Sequence, residues 1–174
     1  EERLKTVKEG DLMDLNTDFG VLISEKAAKE VERQVNLTIK QGAKLVYGGV
    51  RKGAYYMPTV LDNCTKNMDI CKDMEIFGPV ISVIGFESEE EAIEIANQSS
   101  YGLCGCVISK DYSRAMKIAD KLECGGAIIN GASFFRSFEM PFGGWKHSGI
   151  GNEGVATTLQ EMSRIKTIVL KNIL

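Results

Sequence analysis

Apolar side chains recur along much of the chain at the spacing of amphipathic helices. From Ala28 to Ile39 they lie three or four residues apart. Ser24 precedes this run, and its hydroxyl can cap the first helical N–H groups. Gly42 follows the last of them and favours a helix end. We therefore predict a helix from about 25 to 41. Similar spacing predicts further helical segments at 1–8, 88–96, 112–122 and 155–162.

Apolar runs between these helices predict strands. The clearest run, from 80 to 86, has almost no polar residue and is typical of a strand covered on both faces of a sheet. Pro58 has no backbone N–H, so the run that contains it is expected to be an edge strand or irregular. The order strand, helix, strand, helix, strand from 80 to 130 predicts two right-handed crossovers and a parallel sheet, and thus an α/β fold. The predicted strands are 43–47, 55–61, 80–86, 103–108, 127–130 and 167–170.

The composition is that of an ordinary globular domain. Of the 174 residues, 44% are hydrophobic and 26% are charged, and a chain of this length can bury a sizeable core. The net charge is −3 and no basic run is present, so we expect no nucleic-acid partner. No apolar run approaches the roughly 20 residues of a membrane span, and no signal-peptide pattern is present, so we expect no membrane partner.

The cysteines show no pattern of a metal or disulfide site. There are five, an odd number, without C-x-x-C spacing, and the chain has one histidine, so no metal site is expected. Cys104 and Cys106 lie two apart in a predicted strand and should face the same way. We interpret them as small core residues in a reducing compartment, in preference to a redox pair.

The stretch Glu75-Ile-Phe-Gly-Pro79 places an acid and an aromatic ring directly before the strongest predicted strand. The Glu75 carboxylate can accept two hydroxyl hydrogen bonds, as from a ribose diol. The Phe77 ring can cover a flat heteroaromatic group. Gly78 and Pro79 stop any helix and begin the strand. The alternative reading is a polar loop that enters a buried strand.

A second stretch, from Met140 to Gly154, contains five glycines. With the first, it resembles the aldehyde dehydrogenase superfamily, whose pattern is E-x-F-G-P, then N, a variable loop and P-F-G-G-x-K-x-S-G-x-G. The matching positions are Asn130, Pro141, Phe142, Gly143, Gly144, Lys146, Ser148, Gly149 and Gly151. The likeness covers essentially the whole chain.

The resemblance implies a parallel-sheet, Rossmann-like catalytic domain of the aldehyde dehydrogenase fold. Residues 1–164 would be part of that domain, and 165–174 a C-terminal oligomerisation strand that pairs with a neighbouring subunit. The family's nucleophilic Cys lies in a G-Q-x-C context and its general-base Glu in E-L-G-G, and neither occurs here. We therefore expect no catalytic residue in this chain, and an inactive chain in isolation. The start at Glu1, ahead of the first methionine at Met13, is interpreted as a piece of a longer protein.

The resemblance also implies roles for individual residues. Glu75 would bind the hydroxyls of the nicotinamide ribose and Phe77 would pack near the nicotinamide of NAD or NADP. Phe142 resembles the aromatic residue that lines the family's aldehyde tunnel. Ser133 and Phe134, in the loop 131–139, would contact the substrate.

Arg136 in the same loop has two open interpretations. Its guanidinium could bind the carboxylate of an acidic aldehyde, as in relatives that act on succinate semialdehyde or lactaldehyde, or it could be a solvent-exposed charge. Lys146 and Ser148 are interpreted as structural, and His147 as a solvated loop residue.

The expected function is thus oxidation of a small aldehyde to a carboxylic acid with NAD or NADP, by a cytoplasmic homodimer or homotetramer. The alternative is a non-catalytic oligomerisation or binding module derived from this fold. A phosphate-binding loop at 143–151 fits less well, because no Walker-type Gly-Lys-Ser/Thr follows a strand.

Overall fold

The structure, a computed structural model, describes residues 2–171 and forms two compact units, Glu1–Ser99 and Ser100–Leu174. Each unit combines helices with strands, as the predicted α/β class requires. Within residues 2–171, no helix is both long and apolar enough to cross a membrane.

In the part of the first unit that the structure describes, residues 2–99, there are two α-helices, five strands and two short 3-10 helices. The helix α1 begins after Ser24, whose hydroxyl accepts a hydrogen bond from the Ala27 N–H at 3.1 Å, as predicted. The α-helices are α1 (Glu25–Lys40) and α2 (Glu89–Asn97), the strands are β1 (Lys44–Tyr47), β2 (Arg51–Lys52), β3 (Tyr55–Tyr56), β4 (Thr59–Cys64) and β5 (Val80–Ile84), and the 3-10 helices are Glu2–Thr6 and Asp69–Cys71.

The core of this unit lies between α1 and a three-stranded sheet. Val31 and Val35 of α1 are buried together with Tyr56, Leu61 and Cys64, so the apolar face predicted for α1 is its packing face. The sheet order is β1-β4-β5, with β1 antiparallel to β4 and β4 parallel to β5.

Of the two alternatives predicted for the stretch 55–61, an edge strand or an irregular one, the structure confirms the second and contradicts the first. The strand β4 is central in its sheet, and Pro58 lies in the break between β3 and β4, outside the ladder. The missing N–H of Pro58 therefore costs no ladder hydrogen bond. The first N–H of the strand, from Thr59, donates to the Pro79 carbonyl at 2.8 Å.

The second unit is built on a parallel strand pair. The strands β7 (Cys104–Val107) and β8 (Gly126–Ile129) pair in parallel, and the helix α3 (Tyr112–Lys121) connects them, which is the predicted strand-helix-strand order. The short strands β6 and β9, which the apolar pattern did not predict, pair antiparallel. The elements are β6 (Tyr101–Gly102), β7 (Cys104–Val107), α3 (Tyr112–Lys121), β8 (Gly126–Ile129), β9 (Trp145–Lys146) and α4 (Val155–Glu161).

The two ends of the chain differ from the predicted elements. At the N-terminus, the described residues of the predicted helix 1–8 form the 3-10 helix Glu2–Thr6, and Glu1 lies outside the described residues. Residues 163–171 have no regular secondary structure, and Ile165, Ile168 and Val169 are exposed. Residues 172–174 lie outside the described part, so the oligomerisation strand 165–174 stays a prediction.

The five cysteines are free thiols with different environments. The interpretation of the pair as core residues is wrong for Cys106, which is exposed, and Cys104 is only half-buried, whereas Cys64 is buried. The reason lies in strand alternation: Val107, on the other face of β7, is the buried residue, and α3 packs against this strand. Within residues 2–171, no group of three His, Cys, Asp or Glu side chains could hold a metal ion.

Candidate functional site

Residues 72–79, which we call the Glu75 segment, join the second 3-10 helix to β5 and have no regular secondary structure. Its start is held at Cys71, whose N–H donates to the Met68 carbonyl at 3.0 Å and whose carbonyl accepts a hydrogen bond from the Gln98 side chain. Its end is a tight turn, in which the Gly78 N–H donates to the Ile76 carbonyl at 2.8 Å. A Cβ at Gly78 would lie 2.7 Å from a Val31 methyl carbon, so the turn is pressed against α1.

Side-chain burial alternates along this segment. Met74 and Ile76 are half-buried, whereas Glu75 and Phe77 are exposed, and 76% of the Phe77 surface is open. Alternate residues of an extended chain share a face, so the acid and the ring lie together on the outer side. Among the described residues, none forms a hydrogen bond or ion pair with the Glu75 carboxylate. Both groups are therefore free to contact a ligand.

The glycine-rich stretch 141–154 is held by hydrogen bonds at both ends. Phe142 and Glu153 exchange two backbone hydrogen bonds, at 2.8 and 2.6 Å. Between them the chain crosses itself closely: a Cβ at Gly143 would collide with the Gly151 carbonyl and the Asn152 side chain. Glycine is required at this crossing because there is no space for a side chain. Its backbone conformation is not the reason, since Gly143 has no positive φ.

Lys146 and Ser148 hold the same stretch through side-chain contacts. The Lys146 ammonium lies 2.7 Å from a Glu123 carboxylate oxygen, and the Ser148 hydroxyl accepts a hydrogen bond from the Gly102 N–H at 2.9 Å. Lys146 has a φ of 53°, a conformation that costs a non-glycine residue about 1 kcal/mol or more and needs such support. These contacts give both residues the structural role that we inferred from the sequence.

The loop does not form a phosphate cradle. The N–H groups of His147 and Ser148 already donate to the carbonyls of Ser100 and Trp145, each at 3.0 Å. A phosphate site needs such N–H groups to be directed at the ligand. The hydrogen bonding therefore favours a scaffold over the phosphate-binding alternative.

Arg136 and Phe142 come together at the wall of a cavity of about 970 Å³. The Arg136 Cζ lies 3.0 Å from the centroid of the Phe142 ring, so the guanidinium covers the ring face. A cation–π contact of this kind stabilises by about 0.5–2 kcal/mol, depending on how far the cation is desolvated. The cavity is lined by Arg136, Ser137, Phe138, Met140, Phe142, Glu153, Gly154, Val155, Thr158, Leu159, Met162 and Ser163.

Two predicted substrate residues are not at this cavity. Ser133 and Phe134 form a turn, and both are exposed outside the cavity wall. The helix α4 contributes Leu159 to the wall instead. Met162, the first residue after the end of α4, is also part of the wall. The signal for these residues was the apolar spacing from 155 to 162, which we used only to predict a helix.

Burial raises the pKa of several thiols, and this bears on whether one could be a nucleophile. The pKa of Cys71 rises to about 11, chiefly through burial and then through the neighbouring Cys64 thiol, and burial also raises the pKa of Cys64 and Cys124. The thiolate is the reactive form of cysteine. These three thiols are therefore protonated at neutral pH, which is the less reactive form of the side chain.

Comparison with known proteins decides the family. The family model described as "Aldehyde dehydrogenase family" matches residues 1–168. The chain belongs to the aldehyde dehydrogenase family. It is 43% identical over 169 residues to lactaldehyde dehydrogenase of Methanococcus aeolicus, a match that covers 97% of this chain and 36% of that protein.

Solved structures of this family share the fold. Glyceraldehyde-3-phosphate dehydrogenase GapN of Methanocaldococcus jannaschii, complexed with NADP, matches with a TM-score of 0.92 at 42% identity, over 98% of this chain and 37% of that one. Aldehyde dehydrogenase 21 of Physcomitrella patens, in complex with its reaction product succinate, matches with a TM-score of 0.92 at 35% identity, over 99% and 36%. The chain thus spans little more than a third of the length of the relatives it matches.

Proposed function

We propose that the protein carrying this chain oxidises a small acidic or hydroxy-aldehyde to the carboxylic acid, with NAD or NADP as the hydride acceptor. The observation that carries the substrate part of the proposal is the Arg136 guanidinium, stacked on Phe142 at the wall of a cavity large enough for a small aldehyde. Family membership supports the reaction class.

The chemistry of the matched proteins agrees with a cationic binding group. Glyceraldehyde-3-phosphate carries a phosphate and succinate carries carboxylates, and a guanidinium can bind two oxygens of either group at once. Lactaldehyde carries a neutral hydroxyl, whose single uncharged oxygen is a weaker acceptor for the same donor. Arg136 therefore serves an acidic substituent best and a hydroxyl second.

The cofactor contacts in this proposal are Glu75 and Phe77. Their shared outer face, the open carboxylate and the exposed ring fit a ribose diol and the flat nicotinamide beside it. When bound, the nicotinamide accepts a hydride. The residues of this chain bind and orient it, and they leave the choice between NAD and NADP open.

The nucleophilic Cys and the general-base Glu of the family are proposed to lie outside these residues. Each of Ser133, Phe134, Arg136 and Phe142 then has a binding role, with Arg136 and Phe142 at the cavity and Ser133 and Phe134 on the exposed turn of the same loop. The isolated chain is inactive in this proposal.

The assembly and location are part of the proposal. A homodimer or homotetramer would pair the exposed apolar segment around Ile168 and Val169 with a neighbouring subunit, which would cover side chains that this chain leaves open. The compartment is proposed to be the cytoplasm, where the five free thiols stay reduced.

The test uses Arg136→Ala in the full-length protein, with succinate semialdehyde as the acidic substrate and propionaldehyde as the neutral one. Loss of a charge-assisted bidentate contact should raise KM for the acidic aldehyde about 10–100-fold and leave the neutral one within about twofold. Arg136→Lys keeps the charge but loses the two parallel N–H donors, and it is the matched control. Its KM for the acidic aldehyde should lie between those of the unsubstituted protein and Arg136→Ala. Equal changes for both aldehydes would refute the role of Arg136.

A full-length protein that oxidises no aldehyde with either cofactor would refute the enzymatic proposal itself. That result would favour the alternative of a non-catalytic oligomerisation or binding module.

A further inference from the structure

The Phe142 ring has a fixed position in the second unit. Its backbone exchanges two hydrogen bonds with Glu153, and the residue after it, Gly143, lies at a crossing that admits no Cβ. Phe142 is half-buried, and its ring forms part of the cavity wall. The ring is thus carried by a backbone that has little freedom to shift.

Arg136 comes from a loop with much less internal support. With partners among the described residues, the backbone hydrogen bonds of residues 132–140 are the turn bonds from Phe135 to Ala132 at 3.0 Å and from Met140 to Ser137 at 3.2 Å. All side chains from Ala132 to Met140 are exposed. A free arginine side chain of this kind would sample many rotamers and would lose that freedom on binding an anion.

The stacking contact fixes the orientation of the Arg136 guanidinium, which the hydrogen bonds of the loop do not fix. With Cζ 3.0 Å from the ring centroid, one face of the guanidinium is covered by Phe142. The N–H donors of a guanidinium lie along its edge, in its plane, so a stacked guanidinium keeps them available for hydrogen bonds.

We propose that Phe142 is a positioning residue: its ring holds the Arg136 guanidinium flat, so that the donor edge binds two oxygens of the substrate's acidic group. This inference rests on the proposed function, since it requires Arg136 to bind that group. It assigns to Phe142 a contribution to acid selectivity that is separate from its place in the wall. A leucine of similar bulk fills the wall but has no π face for the cation.

The test is a double-mutant cycle in the full-length protein with Phe142→Leu, Arg136→Ala and the double variant, measured on succinate semialdehyde and propionaldehyde. Phe142→Leu should raise KM for the acidic aldehyde about fivefold more than for the neutral one, with kcat nearly unchanged. In the Arg136→Ala background, the same substitution should lose this selectivity for the acidic aldehyde.

Two further variants separate positioning from packing. Phe142→Tyr keeps a π face and should retain the acid selectivity, and loss of the selectivity in this variant would contradict the positioning role. Phe138→Leu removes another aromatic ring from the same cavity wall and should change KM for both aldehydes alike.

The outcomes distinguish this inference from the proposed function. If Arg136→Ala raises KM selectively for the acidic aldehyde but Phe142→Leu is additive with it, the positioning role is refuted and the proposed function stands. If Arg136→Ala has no selective effect, the positioning role of Phe142 and the binding role of Arg136 are both refuted, while oxidation of an aldehyde by the full-length protein would still support the reaction class.

Discussion

The two segments that identify the family differ in their contacts: one has exposed side chains, and the other has a closely packed backbone. The Glu75 segment is anchored at its two ends and turns its acid and its ring outward, where no protein group engages the carboxylate within residues 2–171. The glycine-rich stretch has its ends joined by Phe142 and Glu153, and Gly143 lies where the chain crosses itself. Equally recognisable motifs can therefore differ physically: one leaves its side chains open to solvent, and the other holds a backbone shape.

The comparison predicts that the glycine-rich stretch governs stability. Gly143→Ala should lower the free energy of unfolding by about 3 kcal/mol, because the added Cβ meets the Gly151 carbonyl and cannot be accommodated by a side-chain rotation. Chemical denaturation of the purified protein measures this. The control is Gly85→Ala, because a Cβ at Gly85 would meet nothing within 4 Å. Similar stabilities for the two variants would show that the crossing is not tight.

The Glu75 segment should show the reverse behaviour. Glu75→Gln in the full-length protein should raise KM for the nicotinamide cofactor about tenfold, because a neutral amide accepts the ribose hydroxyls more weakly than a carboxylate does. The unfolding temperature should stay unchanged, since the Glu75 carboxylate has no partner to lose among the described residues. Glu87→Gln, at another exposed acid, should alter neither quantity. A loss of stability without a change in KM would contradict the assignment of Glu75 to the cofactor.

The smallest expected effect concerns the anchor of the Glu75 segment. Folding raises the pKa of Cys71 from its ordinary value of 9.0 to about 11, so between these values the folded state binds more protons than the unfolded state. The contribution is fully present below pH 9 and is lost as the pH rises to about 11. Unfolding temperatures recorded from pH 8 to 11 should therefore fall, and less so for Cys71→Ala. An equal fall in the variant would assign the effect to other groups, such as Tyr55, whose pKa burial raises to about 12.

Much of the fold follows from local sequence patterns. The helices α1 and α3 lie within one residue of their predicted bounds at their N-terminal ends, because periodic apolar positions and capping side chains are local signals. Pro58 shows the limit of such signals: the residue restricts its own backbone but does not specify whether the strand that follows is central. The strands β6 and β9 were not predicted because each has two residues, too few for a period to show.

The candidate site was predictable in part for the same reason. Arg136 and Phe142 were identified from motif and chemistry, but their stacking requires a loop and a glycine-rich stretch to fold against each other. The contributions of Phe138, Leu159 and Met162 to the cavity depend on where α4 lies relative to that loop, and no local pattern carries this information.

The sequence by itself determined the family, the α/β class, the helix positions and the residues with binding chemistry, because each of these depends on residue identity and short-range spacing. Tertiary structure alone decided that Gly143 lies at a chain crossing, that β4 is central, and that Cys106 faces out while Cys64 is buried. It also decided that the guanidinium of Arg136 lies on the ring of Phe142. These features arise from contacts between segments distant in the chain, whose geometry is set by packing and not by the residues on either side.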